Sequence, residues 1–425
     1  MSKIVFFLVL ISMAAIRSQA DESGSLRDIT VPMRSLDFND TDYSDLKSFG
    51  KFIGDARIVI LGEQTHGEGS TFAAKARLAR YLFEALHFDV FAIESGFYDA
   101  NKVWRMAKAG DPLARIAPGN IFYMYANSAE VRPLFDYIDA RKNSARPIRL
   151  TGMDCQHSGR LSADSLMESM ASFFAKRSSQ AIKSPEWPWA KGVTESLIRH
   201  LGDTLARADL DRYQAWAASL LKEVRMMVSS PGDDVFDQSG FWENILLGLM
   251  FQADKKSDAN GNLRDAQMAR NLAWLMDHPF QGKKAVVWAH NFHAFKDLSS
   301  ASSQPPEAWL NGRKTMGGNL SALYPGKVFV LGVAGGAGTF TDYATGKEQT
   351  TPPMAADRME TRIDPALDLA ILNLHDLPAT AKWLGTEQSI SLANFSPYRA
   401  KIPELMDALL YVKKPFPTRN APAGK

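Results

Sequence analysis

The sequence predicts an α/β protein: a mostly parallel central sheet flanked by helices, with a helix-rich insertion over the active-site edge. Three observations carry that prediction. Short apolar runs recur between stretches with helical spacing; the first two runs and the helix between them fit a strand–helix–strand crossover; and four runs in succession end in an acid or a histidine.

Residues 1–20, MSKIVFFLVLISMAAIRSQA, have a basic start, an apolar run from Ile4 to Ile16 and a small-residue ending. That is the pattern of a secretory signal peptide. The run is shorter than the ~20 residues a membrane-spanning helix needs. The expectation is therefore cleavage after Ala20, a periplasmic or secreted mature protein, and no stable membrane insertion afterwards. Residues 21–425 then read as one domain. The lone cysteine, Cys155, cannot close an internal disulfide, so an ordinary hydrophobic core must hold the fold. Losing Lys3 and Arg17 with the leader takes the 49 basic residues to 47, equal to the 47 acidic ones. A neutral balance argues against nucleic acid or an anionic membrane as the main partner.

Residues 21–50 are polar and irregular, leading into a short helix around 43–52. "RIVILG" (57–62) reads as a buried strand, "TFAAKARLARYLFEAL" (71–86) as an amphipathic helix and "FDVFAIES" (88–95) as a second strand, parallel to the first. Three more runs of strand type follow: "RPIRLTGMD" (146–154), "KKAVVWAH" (283–290) and "KVFVLGVAGG" (327–336). Residues 160–277 between the first and second of these are helix-rich and strand-poor, an insertion or lid and not an independent domain. The final third is loop-rich, with Pro352, Pro353, Pro365 and Pro378, and a helix is expected over 403–411.

Ligands of open parallel sheets bind beyond the carboxyl ends of the strands. Glu63 and His66 follow the first strand, Glu94 and Ser95 the second, Asp154 and His157 the third, and His290, Asn291 and His293 the fourth. Each residue also has a plainer use. Glu63 could serve the helix that starts near Thr71, since helix N-termini favour acids. Asp154 fits a bond to its own turn, and His157 and His293 fit a rim position. Glu94 ends a strongly apolar strand, where a buried carboxylate needs a partner. His87 precedes a strand at its opposite end and reads as structural.

GxSxG and HExxH are both absent, which removes the usual support for a serine hydrolase or a zinc peptidase. "GVAGGAG" (332–338) lacks phosphate-loop spacing, "DANGN" (258–262) has Leu263 where a calcium loop needs glycine, and nothing pairs Cys155 with a base. Two chemistries are left: general-base activation of water, or a His/carboxylate metal site.

The segment "LGEQTHGEGSTFAAKARLARYLFEALHFDVFAIE" resembles the signature region of the erythromycin esterase family. The similarity continues through "FYMYANSAEVRPLFDYI", "TGMD", "RDAQMARN", "VVWAHNFHA", "TMGGNL" and "PELMDALLYV". The resemblance implies ester hydrolysis, with macrolactones and antibiotic resistance as the family's setting, by a metal-independent, cofactor-free mechanism in which a histidine activates water. Carried over, His66 is the general base, Glu63 and Glu94 orient and polarise it, and His290 assists the oxyanion or the leaving alcohol. Lys75 and Arg77 fall on the family's basic helix positions, to hold the carboxylate network or the carbonyl oxygen; Asp154 and His293 are expected on the substrate side. Ser70 stands where the family has a glutamate, and Lys75 where many members have arginine. The expected partner is a small-molecule ester. Two alternatives use the same groups: a metal-dependent hydrolase or metal-binding protein built on His66, Glu94, His290 and His293, and a non-catalytic ligand-binding homologue.

Overall fold

The computed structural model describes residues 26–200, 203–229, 232 and 234–422. The expected signal peptide, 1–20, lies outside them. Apolar runs build one large sheet from β1 (Thr30–Pro32), β2 (Ile58–Leu61), β3 (Val90–Gly96), β4 (Arg149–Asp154), β5 (Ala285–Trp288), β6 (Val328–Gly335), β7 (Leu369–Asn373) and β8 (Ala408–Val412). Their spatial order is β1-β7-β8-β6-β2-β5-β3-β4. The six strands from β8 to β4 are parallel, and β7 and β1 add an antiparallel edge. The mostly parallel sheet flanked by helices is thus as the sequence predicts.

β2 and β3 are parallel but not neighbours. β5 lies between them, pairing Ile60 with Val287 on one side and Ala92 with Val287 on the other. Strand neighbours so far apart in sequence leave no local trace, and this insertion brings the histidines after β5 between the acids after β2 and β3. Gly62 marks how tightly the exits pack. A Cβ there would run into Oδ1 of Asn291, whose side chain donates to the carbonyls of Val333 and Leu392 and accepts from Val333 N–H.

Alternation divides the core, because successive side chains point to opposite faces. Ile58, Ile60, Val90, Ala92 and Val287 face one layer, and Val59, Leu61, Phe91, Ile93 and Trp288 the other. The helices of ten or more residues are α1 (Gly69–Ala85), α2 (Phe97–Lys108), α3 (Arg132–Arg141), α4 (Arg160–Ala175), α5 (Glu186–His200), α6 (Arg207–Met226), α7 (Ser239–Ala253) and α8 (Asn262–Asp277). α1 and α3 cover the second face, and α4–α8, the helix-rich segment, pack on the first. Of that segment, the first turn of α8 reaches the carboxyl edge, bringing Arg264 and Asp265. Among the described residues no helix is long and apolar enough to cross a membrane.

The spacing of α1 predicts an amphipathic helix, yet it is buried on nearly every side. Residues 34–53 wrap its outer surface. Arg77 is fully buried there, with Nη1 and Nη2 at 2.8 and 2.9 Å from the two oxygens of Asp45, and a further bond to the carbonyl of Asp42. This corrects the expectation that Arg77 serves the carboxylate network at the strand exits. It clamps the segment that wraps α1, because the acids that match its guanidinium fork lie in residues 40–45.

His157 is likewise a core residue and not a rim one. It is 1 % exposed, has no hydrogen-bond partner for either ring nitrogen and packs against Gly248. Burial pushes its pKa down to about 4.

Two tests follow from these packings. Because the folded pKa of His157 lies below the unfolded value near 6.5, the unfolded chain takes up the proton first. Stability therefore falls as pH drops from about 6.5 to 4, by on the order of 3 kcal/mol. Urea midpoints across this window should show the slope in the natural protein and a clearly smaller one in His157→Leu; an unchanged slope would refute the assignment. Arg77→Leu leaves Asp45 without its partner and should cost about 3 kcal/mol of stability. Arg77→Lys, lacking the fork, should restore only part of it.

Candidate active site

β2 ends at Leu61, and the next residues turn over the carboxyl edge into α1. Glu63, 0 % exposed, is the centre of this turn. Its Oε1 lies 2.7 Å from Nδ1 of His66 and accepts from the Tyr125 hydroxyl at 2.7 Å, and its Oε2 lies 2.5 Å from Nζ of Lys75. The three-residue spacing lets Glu63 and His66 share one loop, and Lys75 reaches them from the second turn of α1. Lys75 is itself buried, with Nζ 4.1 Å from the ring centroid of Trp288. Burial alone would raise the Glu63 pKa, but the charge of Lys75 and the hydrogen bonds from His66 and Lys75 outweigh it and hold the carboxyl at about 2. Burial lowers Lys75 to about 8, which leaves it charged at neutral pH. An ionised Glu63 fixes the tautomer of His66: Nδ1–H donates to the carboxylate, and Nε2 is left as the free acceptor.

Glu94 arrives from the end of β3, on the far side of β5. The β3–β4 register shifts between Ile93 and Gly96, a bulge that re-aims the side chains at the end of β3. Gly152 opposite permits it, since a Cβ there would press on the carbonyl oxygens of Ser95 and Gly96. Glu94 Oε2 accepts from the backbone N–H of His290 at 2.7 Å. Its Oε1 faces three cationic or imidazole groups: His66 Nε2 at 4.0 Å, Arg264 Nη2 at 3.6 Å and His293 Nε2 at 3.4 Å. Asp154 grips Arg264 with both oxygens, at 3.2 and 2.6 Å.

The two histidines after β5 differ sharply. His290 accepts from Phe292 N–H at Nδ1, so its Nε2–H donates to the carbonyl of Gln64 at 3.1 Å. Burial and the nearby His66 push its pKa well below the usual value, and the ring is neutral. Both nitrogens are spent on backbone. Three residues on, His293 sets Nδ1 2.6 Å from Asp265. Asp265 is completely buried and also holds Arg313 and the Met316 N–H.

These groups open on a cavity of about 620 Å³, lined by His66, Glu94, Asp154, Arg264, His290, His293 and Arg313 and walled by Phe122, Phe292, Trp309, Tyr343 and Tyr398. A wider groove of about 850 Å³ beside α7 and α8, lined by Leu247, Met250 and Trp274, receives none of the strand exits. Of the residues expected from sequence, Glu63, His66, Glu94, Asp154, His290 and His293 meet around the cavity, Lys75 lies beneath it, and Arg77 stands apart. Asp154 binds Arg264 in addition to bonding its own turn at Gln156 N–H. Among the described residues, no three His, Cys, Asp or Glu side chains are grouped as metal ligands.

Sequence reasoning missed Tyr125, Arg264, Asp265 and Arg313. Tyr125 stood inside an aromatic run that reads as core. Arg264 and Asp265 open a helix, where charged residues are commonplace. The one available signal was their position in "RDAQMARN".

An erythromycin esterase family model matches residues 83–414 of the chain. That range contains Glu94, Asp154, Arg264, Asp265, His290 and His293; Glu63 and His66 precede it. "Putative hydrolase YbfO" of Bacillus subtilis (strain 168) is 25% identical over 423 residues, covering 90% of this chain and 89% of that protein. Erythromycin esterase type II of Escherichia coli is 24% identical over 294 residues, covering 64% of this chain and 68% of that protein. The solved structure of an erythromycin esterase mutant in its open conformation has the same fold, with a TM-score of 0.69 at 17% identity over 93% of this chain and 100% of that one. The chain belongs to the erythromycin esterase family, which makes it a hydrolase of the esterase type.

Proposed function

We propose that this protein is an exported hydrolase that cleaves a carboxylic ester with a water activated by His66. The observation that carries the reading is the buried Lys75–Glu63–His66 chain, which leaves Nε2 of His66 as a free acceptor at the cavity wall. Glu94 Oε1 lies 4.0 Å from that nitrogen, a separation that one water bonded to both can bridge. Two acceptors orient its lone pair at the ester carbonyl, and a positioned base of this kind contributes ~10²–10⁴ in rate. As the water attacks, its proton passes to His66, and the imidazolium that forms is stabilised by ionised Glu63. Arg264, held by Asp154 and lining the cavity beside Glu94, is the cation assigned in this reading to the developing oxyanion. The chemistry draws on no cofactor.

The cavity volume and its aromatic walls suit a bulky, largely apolar ester, and a macrolactone is the substrate class we propose first. Export rests on the sequence of residues 1–20, and no nucleic acid or stable membrane partner enters the reading.

His66→Ala should fold normally and lose about a thousandfold in kcat/KM on any ester the natural protein turns over. Full retained activity would end the assignment. Activity should survive exhaustive chelation; loss reversed by a divalent metal would favour a metal-dependent hydrolase. Mass spectrometry of the exported protein should find Asp21 at its N-terminus, and an intact residue 1 would refute cleavage.

A further inference from the structure

Ester hydrolysis moves two protons: one leaves the attacking water, and one must reach the departing alcohol. An alkoxide is a poor leaving group unless it is protonated as the C–O bond breaks. His66 accounts for the first proton. His290 cannot supply the second, because its Nε2–H is committed to the carbonyl of Gln64 and its Nδ1 is an acceptor.

We propose, resting on the hydrolytic reading above, that His293, backed by Asp265, is the proton donor to the leaving alcohol. The site thus holds two carboxylate–histidine dyads of opposite duty. Glu63–His66 and Asp265–His293 have the same design, Nδ1 held by a buried carboxylate at 2.7 and 2.6 Å. Both direct Nε2 at one oxygen of Glu94, at 4.0 and 3.4 Å. An ester bound between the rings offers its carbonyl carbon to one and its alkoxy oxygen to the other.

The charge around His293 suits it to the donor's duty. Burial alone would lower the pKa of His293, but Asp265 and Glu94 outweigh both burial and the opposing charge of Arg264, and the net direction is upward. Asp265 remains able to support the imidazolium because Arg313 and Met316 N–H fix its carboxylate. That upward direction favours a proton on Nε2, the nitrogen that faces Glu94 Oε1 at the cavity.

The step balances. Water oxygen bonds to the carbonyl carbon and its proton goes to His66 Nε2. The tetrahedral adduct collapses, the C–O bond electrons go to the alkoxy oxygen, and that oxygen takes the Nε2 proton of His293. Acid and alcohol leave, and one proton passes from His66 to His293, with Glu94 lying between them, to restore both.

A leaving-group comparison tests this. A 4-nitrophenyl ester expels 4-nitrophenoxide as an anion near neutral pH, whereas the ethyl ester of the same acid must have its strongly basic ethoxide protonated as it leaves. His293→Asn should lower kcat/KM on the ethyl ester by about 100-fold or more and on the 4-nitrophenyl ester by less than about 10-fold. An equal loss on both esters, or no loss on either, overturns the proposal. His66→Ala should fall on both esters alike; if it falls on neither, the hydrolytic reading fails instead. Should His293→Asn not fold, Asp265→Asn measured on the same ester pair decides by the same criterion.

Discussion

A single buried carboxylate, Glu63, is the constraint around which the carboxyl edge is arranged. An ionised acid with no solvent exposure is costly unless its partners are close and its lone pairs are filled. Lys75 supplies the charge, and Tyr125 and His66 fill the remaining positions. Removing any one of them would leave a charge or a donor stranded in low dielectric. The requirement explains why α1 is buried on its polar side as well as its apolar one. Lys75 cannot reach Glu63 from a solvent-facing helix, so the helix is sunk beneath residues 34–53 and a second of its cations, Arg77, is met by Asp45.

The second carboxylate system is built on the same logic from different strands. Glu94, Asp154 and Asp265 come from β3, β4 and α8, and Arg264, Arg313 and His293 balance them. Each acid that lines the cavity floor is matched by a base from another element. These pairs cross-link the edge of the sheet to α8 and to the loop before Met316. The geometry of the cavity floor is therefore held by packed elements, which is what the proposed chemistry requires.

The aromatic wall gives the site its shape. Phe122 and Tyr343 flank His66 with ring centroids 5.1 and 5.2 Å away, and Phe292 meets Trp309 and Tyr398 edge to face at 4.7 and 5.4 Å. Phe122 comes from the segment before Tyr125, Tyr343 from the hairpin after β6, and Trp309 and Tyr398 from the loop-rich final third. The polar floor is thus contributed by the sheet and by α8, and the apolar walls by the loops.

By itself the sequence determined five strands of the large sheet, β2 to β6, with the first crossover helix and the residues that follow them; β1 and β7 were not read from it, and Ala408–Val412, expected within a helix over 403–411, is strand β8. Parallel strands buried on both faces are unbroken apolar runs, so an acid or histidine directly after one is visible without any knowledge of pairing. Glu63, His66, Glu94, Asp154, His290 and His293 were legible for that reason. Tertiary structure alone decided which strand lies next to which. β5 enters between β2 and β3 across a separation of more than a hundred residues, and that placement turns four separate exits into one cavity. It also decided the fate of look-alike residues. Lys75 and Arg77 sit two positions apart on one helix, and a helix turns about 100° per residue. Two steps are enough to point one at Glu63 and the other at Asp45. His290 and His293 share a motif, yet backbone groups consume one ring and a buried carboxylate from α8 supports the other. Partners that arrive from distant elements leave no periodicity in the sequence, and they settle what each side chain can do.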